Sequence, residues 1–187
     1  RYCDRLLDGF GLTWTDDAAG VPEHVEGYSN LLWVLLTAGI GALGIELVTA
    51  ARALGAVCTA LALWWLADAL RPNSLRSAIV ASVAPLLVAS TQPVMIWTLA
   101  GLEGPLVLAL LALGFRGLAH RYGDSQHQAE YTRAGLMLAG LPFAVACLAR
   151  PDGPLWAFMA GTGLAIMSLP QGIGTALHRA LFFGLPS

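Results

Sequence analysis

Four groups of ionisable side chains stand beside apolar runs in this sequence. They are the segment Arg1 to Asp8, Glu26 in Glu26-Gly27-Tyr28-Ser29-Asn30, Glu103 in Gly101-Leu102-Glu103-Gly104-Pro105, and Arg150 with Asp152 in Arg150-Pro151-Asp152-Gly153-Pro154. A charge at membrane depth costs roughly 2.5 to 3.5 kcal/mol on insertion scales, so ionisable groups flanking spans are where function is sought. Carboxylates and an arginine gathered at one membrane face suit a reaction on an anionic lipid headgroup. The guanidinium fork holds phosphate, and a carboxylate removes a proton or binds a metal. Each group also has a plainer reading. Ser29 and Asn30 are good N-cap residues, Glu103 before Pro105 suits the first turn of a helix, and Arg150 can snorkel to an interface. The functional reading rests on all four facing one side.

The residues that must position these groups are overwhelmingly apolar. Of 187 residues 57% are hydrophobic and 12% charged, about half the charged share of an average soluble domain, so the chain cannot cover a normal wet surface. With mean hydropathy at +0.67 and no lysine among its ten basic residues, disorder, nucleic-acid binding, a disulfide-rich secreted scaffold and a soluble enzyme are all disfavoured. The expectation is an all-α, polytopic membrane helical bundle. Residues 1–28 hold six of the twelve acids and read as an external, water-facing segment. It opens with a short amphipathic juxtamembrane helix in which Tyr2, Leu6, Leu7 and Phe10 share a face, ended by Gly9 and Gly11. Residues 29–187 read as the transmembrane bundle. The chain starts at Arg1 without an initiator methionine and stops after the apolar run Ala180 to Leu185, so the sequence reads as a fragment continuing beyond both ends. Cys58 and Cys147 lie in apolar runs and Cys3 stands alone, which makes no framework.

From Ser29 onward the apolar runs are Asn30 to Gly44, Leu47 to Leu70, Ser77 to Ala100, Pro105 to Ala119, Ala134 to Ala149 and Leu155 to Leu169. A span takes roughly 20 apolar residues, so the shorter runs need their flanks. Arg116, Arg121 and Arg133 flank one loop and Arg71 and Arg76 another, which places both loops in the cytoplasm by the positive-inside rule. The acidic segment before Ser29 and the turns Gly101 to Gly104 and Arg150 to Gly153 are then external. An odd number of crossings must separate Tyr28 from Arg71, yet two runs lie between them. The simplest repair makes Asn30 to Gly44 re-entrant or interfacial and Leu47 to Leu70 the span. Trp14, Trp33, Trp97 and Trp156 fall near external ends, as an aromatic belt requires, and Trp64 and Trp65 nearer the inner end. Asp68 and Arg71 read as an end-of-helix pair, Glu46 and Arg52 as boundary markers, and His120, His127 and Asp124 as part of a solvated connection rather than a metal site.

In combination, Arg1-Tyr2 with Leu6-Leu7-Asp8-Gly9-Phe10-Gly11-Leu12, Glu26-Gly27-Tyr28-Ser29-Asn30-Leu31-Leu32-Trp33, Gly101-Leu102-Glu103-Gly104-Pro105-Leu106 and Leu148-Ala149-Arg150-Pro151-Asp152-Gly153 resemble the bacterial GT-C glycosyltransferases of the arabinofuranosyltransferase and protein mannosyltransferase-like type. The ordered match covers about 150 residues. The resemblance implies a multi-pass enzyme of the cell envelope, in the cytoplasmic membrane. It would move a sugar from a polyprenyl-phosphate donor to a hydroxyl of a glycan, lipid or protein acceptor at the outer face. Arg1 and Arg150 would contact the donor phosphate, Glu103 would support a metal or the donor headgroup, and Glu26 would shape the acceptor or sugar pocket. Tyr28, Asn30 and Asp152 would join the substrate-binding set, and Glu103 and Glu26 are the acids expected to serve catalysis. The family's paired acidic motif, whose acid would act as general base with inversion at the anomeric carbon, would lie upstream of Arg1. Gly104 replaces a threonine frequent in the family and removes a hydroxyl. The chemistry admits a divalent cation, magnesium or manganese.

Two other classes fit the same composition. A transporter or lipid flippase predicts charges facing one another near the bilayer midplane and discontinuous helices, for which Pro85 and Pro93 are candidates. A non-catalytic membrane scaffold predicts no paired acids upstream.

Overall fold

Apolar runs bounded by capping residues become helices. In a computed structural model of the chain, which describes residues 1–16, 20, 22–23, 30–70, 72–122 and 133–186, the order is α1 (Tyr2–Leu7), β1 (Thr15–Asp16), β2 (Pro22–Glu23), α2 (Leu31–Gly41), α3 (Leu47–Ala69), α4 (Leu75–Ala89), α5 (Gln92–Ala100), α6 (Gly104–Tyr122), α7 (Arg133–Ala149), α8 (Gly153–Ser168), a 3-10 turn (Leu169–Gln171) and α9 (Ile173–Gly184). The fold is all-α apart from the two-residue antiparallel pairing of β1 with β2. Glu46, Arg52, Arg76 and Asp68 lie at or near helix ends, whereas Arg71, Asp124, His127, Glu26 and Tyr28 lie outside the described residues.

Local chemistry sets the boundaries. Glu46 caps α3, its carboxylate accepting from the Thr49 N–H at 2.8 Å, and Ser74 and Ser77 form a reciprocal capping box at the start of α4. The run Ser77 to Ala100 does not form one helix. It breaks at Ser90 and Thr91, where α4 and α5 meet with a bend of 65°. Both hydroxyls turn back onto backbone carbonyls, Ser90 onto Leu87 at 2.9 Å and Thr91 onto Val88 at 2.7 Å, and Pro93 lies at the start of α5, where its missing N–H costs nothing. Pro85 stays inside α4. By length and composition α3, with 23 residues, is long and apolar enough to cross a membrane, and α4 with α5 passes the same test as a broken pair. Helices α2 and α7 and the stretch Gly104–His120 are apolar but shorter.

Helices α3 and α6 run parallel. Gly55 lies against Thr98 and Pro105 near the start of both, and Asp68 meets Arg116 near their other ends. Helix α2 spans only about 16 Å at 1.5 Å per residue, and both its ends stay near the starts of α3 and α6. Asn30 reaches Glu103, and Gly41 packs on Leu47. Helix α1 lies beside α2, with the Cys3 thiol donating to Val34 O at 3.5 Å and Leu7 near Gly41.

Small side chains fill the helix contacts. Ala50, Ala62, Ala146 and Ala149 are fully buried, while Leu75, Leu86, Leu99, Phe158 and Ile173 stand exposed on the outside. The largest fully buried side chains among the described residues are Phe143, Phe183 and Leu136. Phe143 stacks edge-on against Phe183 at 5.3 Å and Phe115 at 5.4 Å, joining α6, α7 and α9.

Candidate functional site

Three turns converge at the start of α6. The first ends α5: Gly101 adopts φ 73°, a left-handed conformation that suits glycine, and Leu102 N–H returns to Trp97 O at 3.2 Å. The glycine also permits close packing, since a Cβ there would lie 3.0 Å from the Ala51 Cβ. Glu103 follows, its carbonyl accepting from Leu106 N–H at 3.0 Å and Val107 N–H at 3.2 Å, so that its backbone begins α6 while its side chain stays outside the helix. The second turn joins α7 to α8. Arg150 N–H bonds Ala146 O at 3.0 Å, and Gly153 N–H bonds Arg150 O at 3.0 Å. The third is the entry to α2, where Asn30 O accepts from Val34 N–H at 3.2 Å.

The side chains meet across these turns. Arg150 Nε donates to Asp152 Oδ1 at 2.9 Å, and Arg150 Nη1 lies 3.8 Å from Glu103 Oε1. Asn30 Nδ2 donates to Glu103 Oε2 at 3.4 Å. Glu103 is the least exposed of the charged three, its side chain 23% accessible. Asn30 and Asp152 occupy the N-cap positions of α2 and α8, yet neither caps its helix through its side chain. Such a cap contributes about 1 kcal/mol, and both residues turn to the cluster instead. The plainer reading of Asn30 as a cap is therefore not what its side chain does. The same holds for Arg150, which is ion-paired rather than simply reaching for water.

The chemistry open to this arrangement follows from the distances. Asp152 holds one edge of the guanidinium, but 3.8 Å to Glu103 is beyond hydrogen-bonding range, so the Nη donors remain able to take oxygens of a phosphate. A carboxylate, Glu103, thus stands beside a guanidinium that is held on one edge by Asp152 and has donors left over. Among the described residues no three His, Cys, Asp or Glu side chains stand together as metal ligands, and both Glu103 and Asp152 face Arg150. The described donors of the cluster do not form a metal centre by themselves.

Of the residues singled out in the sequence, Asn30, Glu103, Arg150 and Asp152 come together. Arg1 does not join them: its guanidinium lies over the Trp14 ring at 5.4 Å. Glu26 and Tyr28 fall outside the described residues. Two tryptophans that sequence reasoning assigned only to an aromatic belt also border the cluster. Trp33 Nε1 donates to Gly101 O at 3.2 Å, and the Trp97 ring leaves no room for a Cβ at Gly104. The signal for Trp33 was its place three residues after Asn30, on the same face of a helix.

A second polar group lies at the far ends of α3 and α6. Arg116 Nε donates to Asp68 Oδ2 at 2.5 Å, and His120 Nε2 is 3.2 Å from both the carboxylate and the carbonyl of Asp68. Asp68 thus has partners on α6, while Arg71, its expected partner along one helix, lies outside the described residues. No protein-family model, curated protein or solved structure matches the chain.

Proposed function

We propose that this chain belongs to a multi-pass glycosyltransferase of the GT-C kind, which moves a sugar from a polyprenyl-phosphate donor to an acceptor hydroxyl at the outer face of the cytoplasmic membrane. One observation carries the reading. Asn30, Glu103, Arg150 and Asp152, far apart in sequence, meet at one end of the bundle, and Asn30 and Asp152 leave their helices uncapped to do so. The surface supports a lipid environment: alanines fill the helix contacts and leucines, isoleucines and phenylalanines point outward, as expected where close backbone approach rather than water drives helix association.

In this reading the acceptor oxygen attacks the anomeric carbon, the bond from that carbon to the phosphate oxygen breaks, and polyprenyl phosphate leaves. Arg150 stabilises the negative charge gathering on the departing phosphate. Asp152 fixes the guanidinium through Nε. A carboxylate on the face opposite the leaving phosphate takes the proton of the acceptor hydroxyl, and Glu103, beside the phosphate-holding arginine, supports the donor headgroup. Transfer from a radiolabelled polyprenyl-phosphate sugar, measured in membranes carrying the complete gene product, should fall by about 10² or more for Arg150→Ala and Glu103→Ala. Wild-type rates in both variants would sink the proposal.

A transporter or flippase is favoured by one feature, the 65° break between α4 and α5, with Thr98 of α5 hydrogen-bonded to Thr59 midway along α3 at 2.7 Å. The described acid–base contacts between helices stand toward the two ends of α3 and α6 and not face to face at mid-length, which weighs against it.

A further inference from the structure

We infer that the first turn of α2 is a bracket that sets the position of Glu103, with Trp33 as a positioning residue. The inference rests on the proposed role of Glu103 but is carried by separate contacts. Glu103 is not fixed by its arginine, since 3.8 Å to Arg150 Nη1 is too long for a directional bond. Its backbone is fixed instead. Trp33 is 6% exposed, and a buried indole N–H requires an acceptor. It finds Gly101 O at 3.2 Å, a carbonyl at the end of α5 that has no partner further along its own helix. One turn earlier on the same helix face, Asn30 Nδ2 holds Glu103 Oε2 at 3.4 Å. Asn30 and Trp33 thus grip the two sides of the turn Gly101 to Glu103, one by its backbone and one by its carboxylate. Ala51 and Trp97 close it from the other directions, leaving no slack for a Cβ at Gly101 or Gly104.

This assigns a purpose to a helix too short to cross a bilayer. Helix α2 brings a rigid aromatic donor to the turn, and its own placement is set by Gly41 against Leu47 and by α1 alongside. Trp33→Phe keeps an aromatic side chain but loses the N–H with the five-membered half of the indole, so Gly101 O is left without its donor and the turn is released. Misplacing a reacting group affects turnover more than substrate binding.

Two measurements test the bracket. In the transfer assay, Trp33→Phe should lower kcat by about ten-fold while KM stays within about two-fold. Thr59→Val, which removes a hydroxyl pair between α3 and α5, should leave both at wild-type values. The second measurement needs no transfer activity. In a Cys3→Ala, Cys58→Ala, Cys147→Ala background, the thiols of Asn30→Cys and Glu103→Cys are joined by a short bis-methanethiosulfonate cross-linker. Adding Trp33→Phe should slow that reaction by about ten-fold, the factor expected for one buried hydrogen bond. An unchanged cross-linking rate, or a rise in KM without loss of kcat, would overturn the bracket. If the cross-linking slows while the wild-type protein transfers no sugar, the bracket stands and the glycosyltransferase reading falls.

Discussion

Replacing Gly153 by alanine sets two effects of opposite sign against each other. Gly153 opens α8, and helix propensity alone favours alanine there by up to about 1 kcal/mol. The space is the opposing effect. A Cβ at this position would stand 2.6 Å from Cys147 N, and closer still to Cys147 Cα, where ordinary contacts begin at 3.4 Å. Both obstacles are backbone, so no side chain can move aside, and the turn between α7 and α8 must open by more than about 0.8 Å. Overpacking of this kind costs about 1 to 3 kcal/mol, which exceeds the propensity gain. We therefore expect Gly153→Ala to be destabilised by about 1 to 2 kcal/mol in reversible unfolding from mixed micelles. Gly163, in the same helix, has nothing within 4 Å of its virtual Cβ, so Gly163→Ala should be neutral or stabilised. Because the opened turn carries Arg150 and Asp152, transfer by Gly153→Ala should also fall by more than about ten-fold. A Gly153→Ala protein as stable as Gly163→Ala would refute the close approach of the two helices.

The contact between α3 and α6 lends itself to a double-mutant cycle on Asp68→Asn and Arg116→Gln. Both side chains are 35% exposed, so screening reduces their coupling to about 0.5 to 1 kcal/mol, and additive effects would show that the bond carries no net stability. Glu46 gives a pH dependence. Hydrogen bonds from the Thr49 hydroxyl and N–H hold its carboxyl below the ordinary 4.5. With the folded value lower than the unfolded one, its contribution is complete above 4.5 and is lost as pH falls through the depressed value. Wild-type stability should therefore drop more steeply than that of Glu46→Gln as pH falls below 4.5, and parallel curves would rule out the cap.

Much of this organisation was legible in the residues. The run Leu47 to Leu70 became α3 almost to the residue, because a long apolar stretch without proline, entered through Glu46, has no competing structure. The run Ser77 to Ala100 offered Pro85 and Pro93 as candidate breaks; Pro85 stays inside α4 and Pro93 opens α5, but hydropathy does not register that adjacent Ser90 and Thr91 bond their own helix and release its end. Charges beside spans pointed to Asn30, Glu103, Arg150 and Asp152 because few other charges compete for attention. Arg1 carried the same signal, but its guanidinium lies over Trp14, since a cation near an aromatic neighbour can take that local partner first. Asp68 shows the limit most clearly. Spacing along one helix is visible in sequence, whereas the parallel course of α3 and α6 that delivers Arg116 and His120 is a property of packing.

The distribution of side-chain size inverts the usual map of mutational tolerance. In a water-soluble bundle the bulky interior residues are the stringent positions and small surface residues drift freely. Here Leu75, Leu86, Phe158 and Ile173 point outward, where one large apolar side chain serves as well as another. Beyond the buried Leu136, Phe143 and Phe183, stringency extends to the alanines, because at Ala50, Ala62, Ala146 and Ala149 a single added methylene pushes two helices apart. The positions that look most ordinary in the sequence are those at which drift should be slowest.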